Sequence, residues 1–334
     1  MSRSGRIVCF GELLLRLNAP GRELLLQSDR FDVIVGGAEA NVGVALAQLG
    51  HDVRMVSALP PNPLAEGVRR RLRQFGVDLT HIQEPGGRMG LYFMSAGAVL
   101  RPSEIIYDRA ASAFTMLRPG MIDWSDALAD ADWLHLSGIT PATGEGPAAL
   151  AVEAAEAATR MGVKLSFDGN YRKNLWDAWS GDAPAVLRAI LDHASLAFIN
   201  ERDLGLILGE SFEARDLAFD TAFRTFDRLE RIACTSRTQT SVDDMSLGGG
   251  VYRRCGAAVN APIDLPNVVD RIGTGDAFAA GVLDALMQGA DDQRALDQGM
   301  ALAALKHALP GDSLLISRAG LNDALAQDGH DVRR

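Results

Sequence analysis

The residues Gly273, Thr274, Gly275 and Asp276 follow one another near the carboxyl end of the chain, where a stretch with helical spacing of apolar residues begins. The two glycines allow a tight turn whose successive backbone N–H groups face outward, and the positive end of the helix dipole adds to their charge. Such a turn can bind an anionic group such as a phosphate. Asp276 could then accept a proton from an attacking hydroxyl group, or it could only stabilise the helix dipole.

A second glycine-rich segment, G-G-A-E-A-N over residues 36–41, lies between a predicted strand and a predicted helix near the amino end. Its small residues would let a hydroxylated ligand approach the backbone, and the alternative is an ordinary glycine turn. The segment lacks the G-x-G-x-x-G pattern that is typical of dinucleotide-binding folds. The chain also has no G-x-x-x-x-G-K-[ST] pattern, so we do not expect a P-loop protein.

The composition is that of a globular protein able to fold without disulfides or metals, with 334 residues, 47% of them hydrophobic and 23% charged. The net charge of −10 argues against a general binder of nucleic acids or anionic membranes, since both need basic patches. Cys9, Cys234 and Cys255 lie far apart in the sequence and are expected to be reduced thiols of a cytoplasmic protein. The sequence predicts neither a signal peptide nor a membrane-spanning segment.

Short apolar runs that predict strands alternate with stretches of helical spacing along most of the chain. The predicted strands are residues 7–10, 53–57, 133–137, 163–167, 196–199 and 232–235, and the predicted helices are residues 38–49, 63–75, 147–161, 183–193, 201–208, 274–288 and 291–305. Such alternation predicts an α/β protein with a mostly parallel sheet covered on both faces. In these sheets ligands bind beyond the carboxyl ends of the strands.

Two stretches, residues 13–36 and 90–107, break this alternation because they read as strands joined by turns without a helix. We expect them to form a small accessory sheet, of the kind that can close over a site. The three glycines at residues 248–250 are predicted to form a local turn.

The segment at residues 36–41 and the D-x-x-G-T-G-D-A-F-x-A-G sequence at residues 270–281 resemble the two signature motifs of the PfkB (ribokinase-like) family of carbohydrate kinases. The resemblance covers essentially the whole chain. It implies one ribokinase-like domain over residues 1–334, with a three-layer α/β/α core and a β-sheet lid inserted from about residues 13–36 and 90–110. It also implies a substrate site at Gly36, Gly37 and Asn41, an anion hole at Gly273, Thr274 and Gly275, and a catalytic base at Asp276.

Four further segments resemble the branch of this family that phosphorylates 2-keto-3-deoxygluconate. They are W-L-H-L-S-G-I-T-P at residues 133–141, D-G-N-Y-R-K-N-L-W at 168–176, I-Y-D-R at 106–109 and L-K-H-A-L-P-G-D at 305–312. The resemblance implies that the substrate is also bound by Tyr92, Tyr107, Arg109 and Arg172.

Arginine is the residue type that a sugar acid requires, because a carboxylate favours a charge-assisted, often two-point contact with a guanidinium group. Arg172 follows a predicted strand and should lie at the edge of the sheet where ligands bind. Arg109 and Tyr107 lie on the predicted lid. For either arginine the alternative is a surface salt bridge.

The resemblance implies ATP and Mg²⁺ as cofactors. The family's N-x-x-E motif is matched here by Asn200-Glu201-Arg202-Asp203, whose last acid is one methylene shorter. Asn200 and Asp203 could serve Mg²⁺ through water, or the acids could only stabilise a helix N-terminus. The residues expected to contact ATP are Asn200, Thr235, Ser236, Arg237, Gly273, Gly275, Lys306 and His307, although His307 could instead have a structural role.

The expected function is transfer of the γ-phosphoryl group of ATP to a primary hydroxyl of 2-keto-3-deoxygluconate. Related kinases for fructose, for 5-keto-2-deoxygluconate or for the galacto epimer remain alternatives. A non-catalytic sugar-acid-binding regulator on the same fold is an alternative of another class. The expected partners are small molecules, and a lid sheet with an apolar face could pair with a second copy of the chain.

Overall fold

A ten-stranded sheet and a separate four-stranded sheet contain the named strands of the computed structural model, which describes residues 5–326. The strands are β1 Arg6–Phe10, β2 Leu14–Asn18, β3 Asp32–Gly36, β4 Asp52–Ala58, β5 Val77–Gln83, β6 Gly90–Ser95, β7 Glu104–Asp108, β8 Trp133–Ser137, β9 Lys164–Asp168, β10 Ala194–Phe198, β11 Arg231–Gln239, β12 Met245–Tyr252, β13 Ala257–Val259 and β14 Ile263–Leu265. The large sheet has the order β13-β12-β11-β10-β9-β8-β1-β4-β5, with β14 paired to β12. In this spatial order all neighbouring strands between β11 and β5 pair in parallel, and β12 pairs antiparallel with β11.

Helices cover both faces of the large sheet. They are α1 Ala38–Gln48, α2 Pro63–Gln74, α3 Trp124–Ala127, α4 Glu145–Met161, α5 Lys173–Asp177, α6 Ala183–Leu191, α7 Glu201–Leu208, α8 Arg215–Thr225, α9 Thr274–Met287, α10 Asp292–His307 and α11 Arg318–Ala326. Side chains of β1 alternate between the two buried clusters: Val8 and Phe10 pack with α4 and α6, and Ile7 and Cys9 pack with α1 and α9. The expected three-layer α/β/α architecture is confirmed.

The four-stranded sheet, called the small sheet below, has the order β3-β2-β6-β7 and confirms the predicted accessory sheet. Strand β2 pairs with β6 in parallel, and the other two pairings are antiparallel. Tyr92 of β6 lies opposite Tyr107 of β7, with ring centroids 6.3 Å apart. Tyr92 also packs with Leu14 and Met94 in a small buried cluster. The sheet therefore presents one face, with both tyrosines, to the core.

The turn predicted at residues 248–250 is wrong, because all three glycines lie inside β12. A Cβ atom added at Gly249 would lie 2.6 Å from Sδ of Met300 in α10. These glycines therefore allow a helix to pack closely on the strand, and they do not mark a reversal of the chain. The sequence analysis also missed β5, α8, α11 and the two short strands that pair with β12.

Within residues 5–326, none of the helices combines the length and the apolar character needed to cross a bilayer.

The close packing of α9 on α10 depends on Gly281. A Cβ atom added there would lie 2.5 Å from the carbonyl oxygen of Gln298 and 2.7 Å from Cα of Gly299. Gly281→Ala should therefore lower the free energy of unfolding by about 1–3 kcal/mol, although alanine has the higher helix propensity. Gly67→Ala is the control, because no atom lies within 4 Å of the added Cβ. Urea denaturation followed by circular dichroism tests this, and equal stability of Gly281→Ala and wild type would contradict it.

Candidate active site

The two glycine-rich segments meet through a hydrogen bond between side chains 235 positions apart in the sequence. Nδ2 of Asn41, in the first turns of α1, donates to Oδ2 of Asp276 in the first turn of α9 at 2.7 Å. The hydroxyl of Ser313 donates to Oδ1 of Asn41 at 3.0 Å, which fixes the orientation of the amide. Asn41 therefore holds one carboxylate oxygen of Asp276.

The turn before Asp276 has the shape that an anion site requires. Gly273 is the N-cap of α9 and has a φ of +78°, in the left-handed region that favours glycine. Gly275 is exposed, and no atom lies within 4 Å of a Cβ added there, so a ligand can approach the backbone. Thr274 instead turns its hydroxyl to the carbonyl oxygen of Arg271 at 3.0 Å. The first N–H groups of a helix have no partner within it, so the N-terminus of this 14-residue helix, with the open space at Gly275, fits the phosphates of a nucleotide.

Three carboxylates at this edge of the sheet have raised pKa values, and two of them act on the third. Burial raises the pKa of Asp168, at the end of β9, to about 7, and the charges of Asp276 and Asp203 add to the effect. Burial also raises the pKa of Asp276 to about 7, against the stabilising hydrogen bond from Asn41. The pKa of Asp203 is raised mainly by burial. The positive charge of Arg172 opposes the shift at all three sites.

The guanidinium groups of Arg172 and Arg237 have donors that are not used in hydrogen bonds to the described residues. Within residues 5–326, the only hydrogen bond of the exposed Arg172 side chain runs to the carbonyl oxygen of neighbouring Tyr171 at 3.2 Å. The side chain of Arg237, in β11, forms no hydrogen bond or ion pair with the described residues. Burial lowers its pKa, and so do the charges of Arg271 and Arg172. Like charges held this close favour an anionic ligand.

The predicted substrate residues of the small sheet are bound to protein groups in this structure. The hydroxyl of Tyr92 donates to Oδ2 of Asp312 at 2.6 Å. Nε of the buried Arg109 donates to Oε2 of Glu12 at 2.5 Å, and its Nη1 has no partner among the described residues. Arg109 is therefore not a surface salt-bridge residue, and Arg172 is the predicted carboxylate ligand that faces solvent. Tyr107 is half-buried.

Gly36 and Gly37 are required here by contacts within the protein. A Cβ atom added at Gly36 would overlap the carboxylate of Asp312, and one at Gly37 would overlap the carbonyl oxygen of Glu12. Gly37 also has a φ of +146°, which disfavours other residues. Their role toward a substrate stays a prediction.

The residues predicted to serve the metal form a helix cap. Oδ1 of Asn200 accepts from the N–H groups of Arg202 and Asp203 at 2.8 and 3.1 Å, and Oδ2 of Asp203 accepts from the N–H of Asn200 at 3.0 Å. The described residues contain no group of three or more His, Cys, Asp or Glu residues arranged to hold a metal ion. Among the residues that the structure describes, none donates a hydrogen bond to Oδ1 of Asp203. An oxygen donor set of this kind fits Mg²⁺, which keeps several waters and binds largely through nucleotide phosphates.

The predicted nucleotide residues lie on β11 and at the end of α10. Thr235 is half-buried, and Ser236 is exposed beside Arg237. Nζ of the buried Lys306 donates to the carbonyl oxygen of Leu309 at 2.9 Å. Nδ1 of His307 donates to the carbonyl oxygen of Ala303 at 2.7 Å, while its Nε2 is buried without a partner among the described residues. His307 thus has a structural hydrogen bond and one unused nitrogen.

Two acidic residues that sequence analysis did not assign help to build the site. Glu39, inside the G-G-A-E-A-N segment, accepts from the hydroxyl of Thr140 at 2.6 Å and the N–H of Ser137 at 3.0 Å. Burial raises the pKa of Glu39 to about 8. Glu12 pairs with Arg109 as described above. An acid surrounded by small or apolar neighbours in the sequence is the signal that could have identified both.

Comparison with known proteins shows which family and which folds this chain resembles. The family described as pfkB family carbohydrate kinase matches residues 4–316. A 2-dehydro-3-deoxygalactonokinase from Haloferax volcanii is 33% identical over 314 residues, which cover 94% of each chain. The crystal structure of a 2-dehydro-3-deoxygluconokinase from Thermotoga maritima is 33% identical with a TM-score of 0.90, covering 97% of this chain and 99% of that one. A putative ribokinase II from Escherichia coli in complex with ATP and Mg²⁺ shares the fold, with a TM-score of 0.82 at 18% identity over 97% and 99% of the two chains.

The coupling between Asp168 and Asp276 predicts their titration. In protein carrying ¹³C-labelled aspartate, two carboxyl resonances should titrate near pH 7, well above the ordinary range of aspartate. Asp276→Asn should remove one of them and lower the pKa of Asp168, because the charge that raises it is gone. Asn41→Ala should raise the pKa of Asp276, because the donor that stabilises its charged form is lost. Absence of any aspartate titrating between pH 6 and 8 would contradict this description of the site.

Proposed function

Because the chain belongs to the pfkB family of carbohydrate kinases, we propose that it phosphorylates 2-keto-3-deoxygluconate to 2-keto-3-deoxy-6-phosphogluconate, with ATP as the phosphoryl donor. The relatives named above for 2-dehydro-3-deoxy sugar acids support this substrate class. The galacto epimer, named for the Haloferax volcanii relative, is the second candidate, since the two acids differ by inversion at one carbon.

The observation that carries the proposal is the free guanidinium group of Arg172 beside the carboxylates of the site. A neutral sugar needs no cation, whereas the carboxylate of a sugar acid gains a charge-assisted contact from an arginine. The chain has a net charge of −10, which repels anions. An exposed arginine that forms no salt bridge with the described residues supplies the local positive charge that an anionic substrate needs at this edge.

Asp276 acts as the base. Its carboxylate accepts the proton of the primary hydroxyl while the hydroxyl oxygen bonds to the γ-phosphorus and the bond to the bridging oxygen of ADP breaks. A pKa near 7 suits this task, because the group is ionised at neutral pH and can still take up a proton. Asn41 holds the carboxylate in place for the attack. The N–H groups at Gly273, Thr274 and Gly275 donate to the phosphate oxygens as negative charge develops.

Kinases of this family use ATP with a divalent metal ion. Mg²⁺ supplies positive charge at the phosphates when it is bound. The residues here that would hold it, through water, are Asp203 and Asn200. Arg237 would bind the phosphates of the nucleotide directly, and Thr235, Ser236, Lys306 and His307 would border the rest of the nucleotide.

The outer face of the small sheet supports a proposal that two copies of the chain pair through it. Val33 and Ile106, on one face of the sheet, are 61% and 48% exposed, and Phe93 lies between their strands. Pairing would bury these apolar side chains. Sedimentation velocity tests this, and a monomer at micromolar concentration would contradict it.

Arg172→Ala should lower kcat/KM for 2-keto-3-deoxygluconate by roughly ten- to a hundredfold and leave the KM for ATP nearly unchanged. The value for fructose should change little, so the preference for acidic over neutral sugars should be lost. Arg172→Lys should restore only part of it, because lysine cannot make the planar two-point contact. The control is Lys173→Ala, since this neighbouring cation is already paired with Asp177 at 2.6 Å.

The measurement is an ATP-consumption assay over both 2-keto-3-deoxy epimers, 5-keto-2-deoxygluconate, fructose and ribose. Highest kcat/KM for a neutral sugar, or an unchanged acid-to-neutral ratio in Arg172→Ala, would contradict the sugar-acid proposal. No turnover with any sugar, together with tight binding of a sugar acid, would instead indicate a regulator.

A further inference from the structure

Arg16 leaves strand β2 of the small sheet and reaches two aspartates of the core. It is only 3% exposed, and its Nη1 lies 2.9 Å from Oδ2 of Asp270 and 2.8 Å from Oδ1 of Asp312. Its Nε and Nη2 donate to Oδ1 of Asn18 at 3.1 and 2.9 Å, which holds the guanidinium plane. The desolvation of buried charges offsets much of the Coulombic attraction between them. A contribution to stability is therefore a weak explanation for this buried ion pair.

Both aspartates shape the turn that precedes Asp276. Oδ1 of Asp270 accepts from the N–H of Ile272 at 2.9 Å, and its Oδ2 accepts from the N–H of Gly311 at 3.1 Å. Asp270 therefore ties the loop before α9 to the loop after α10. The carbonyl oxygen of Asp312 lies so close to Gly273 that any Cβ there would overlap it. A shift of Asp312 would thus displace the turn itself.

The space behind these loops is not filled by packed side chains. A cavity of about 940 Å³ lies there, bordered by Arg16, Asp270 and Asp312, and its lining does not include Asp276, Arg172 or Arg237. Asp270 and Asp312 therefore border this cavity and also contact the loops that form the turn. Lys306 is the other buried cation that acts on Asp270 and Asp312, and its Nζ donates to a backbone carbonyl.

We infer that Arg16 is a positioning residue that holds the phosphate-binding turn in place from the small sheet. When β2 is docked, its guanidinium group neutralises Asp270 and Asp312 and sets the positions of Ile272, Gly273 and Gly311. When β2 moves away, the two carboxylates keep only the charge of Lys306, whose Nζ donates to a backbone carbonyl, so their mutual repulsion grows and the turn loses its shape. The anion site is thereby complete only when the small sheet is in place. The kinetic side of this inference rests on the proposed function.

A second arginine of the same part of the chain provides a matched control. Arg22, in the β2–β3 connection, also crosses to the core and pairs with Asp243 at 2.7 Å. Its side chain is 49% exposed, and its partner lies on the β11–β12 connection. Arg22→Met therefore removes an ion pair between the same two parts of the molecule without touching the turn.

The experiment compares Arg16→Lys, Arg16→Met and Arg22→Met with wild type, at a temperature where all are folded by circular dichroism. We expect kcat to fall about tenfold in Arg16→Lys and about a hundredfold in Arg16→Met, because a misplaced turn no longer meets the transition state. The KM values for ATP and sugar acid should change less than about threefold, and Arg22→Met should match wild type. A purely structural role would lower the folded fraction and leave kcat of the folded enzyme unchanged.

Amide hydrogen exchange in the absence of any substrate gives a second readout. Exchange at Ile272 and Gly311 should be faster in Arg16→Lys than in wild type and Arg22→Met, while the amides of β8 stay unchanged. If Arg16→Met does not fold, Arg16→Lys decides the question. Unchanged exchange at both amides in Arg16→Lys would overturn the inference, as would a wild-type kcat in that variant. If wild type phosphorylates none of the sugars tested, the proposed function fails, and hydrogen exchange still decides the role of Arg16.

Discussion

Negative charge concentrated at one end of the sheet is the constraint on which the rest of the site depends. Asp168, Asp203 and Asp276 interact with one another there, and Asp270 and Asp312 lie behind the same turn. Carboxylates that lose water must be neutralised or hydrogen-bonded, or their pKa rises. The chain meets this requirement with groups from distant segments, which are Asn41, Arg16, Arg172 and Lys306.

The same arrangement explains why the site is built from both ends of the chain. The hydrogen bond from Asn41 requires α1 and α9 to begin beside each other, and the glycines at their N-termini make room for Glu12 and Asp312. The small sheet contacts this part of the core through Arg16 and Tyr92, which both donate hydrogen bonds to Asp312. The proposed base, the proposed anion site and the small sheet are thus linked by polar contacts as well as by packing.

Much of the fold could be predicted from the sequence, because parallel strands buried on both faces appear as short apolar runs between helical stretches. Helix α7 was predicted at its observed bounds, and β1 and α1 within one residue at either end. Strand β12 was not predicted, because three consecutive glycines are typical of a turn. In the structure they allow α10 to pack closely on the strand. The sequence left open that the acids after Asn200 only stabilise a helix N-terminus, and the structure shows a reciprocal cap between Asn200 and Asp203 there.

Contacts between distant residues could not be predicted from spacing. No role could be assigned to Arg16 from the sequence, because its carboxylate partners Asp270 and Asp312 lie at the other end of the chain. The partnership of Arg109 with Glu12 was hidden for the same reason. The pKa of Asp168 is raised mainly by burial, and the charges of Asp203 in α7 and Asp276 in α9 add to the effect only once the fold brings these elements beside β9.

The central claim is that Asp276 removes the proton of the attacking hydroxyl, and the kinetics of Asp276→Asn test it most directly. The substitution keeps the size of the side chain and removes the base. The account predicts that kcat falls by about 10²–10⁴-fold, while the affinities for ADP and for the sugar acid, measured by calorimetry, stay close to those of wild type. Retention of more than about a tenth of the wild-type kcat would contradict the assignment of Asp276 as the base.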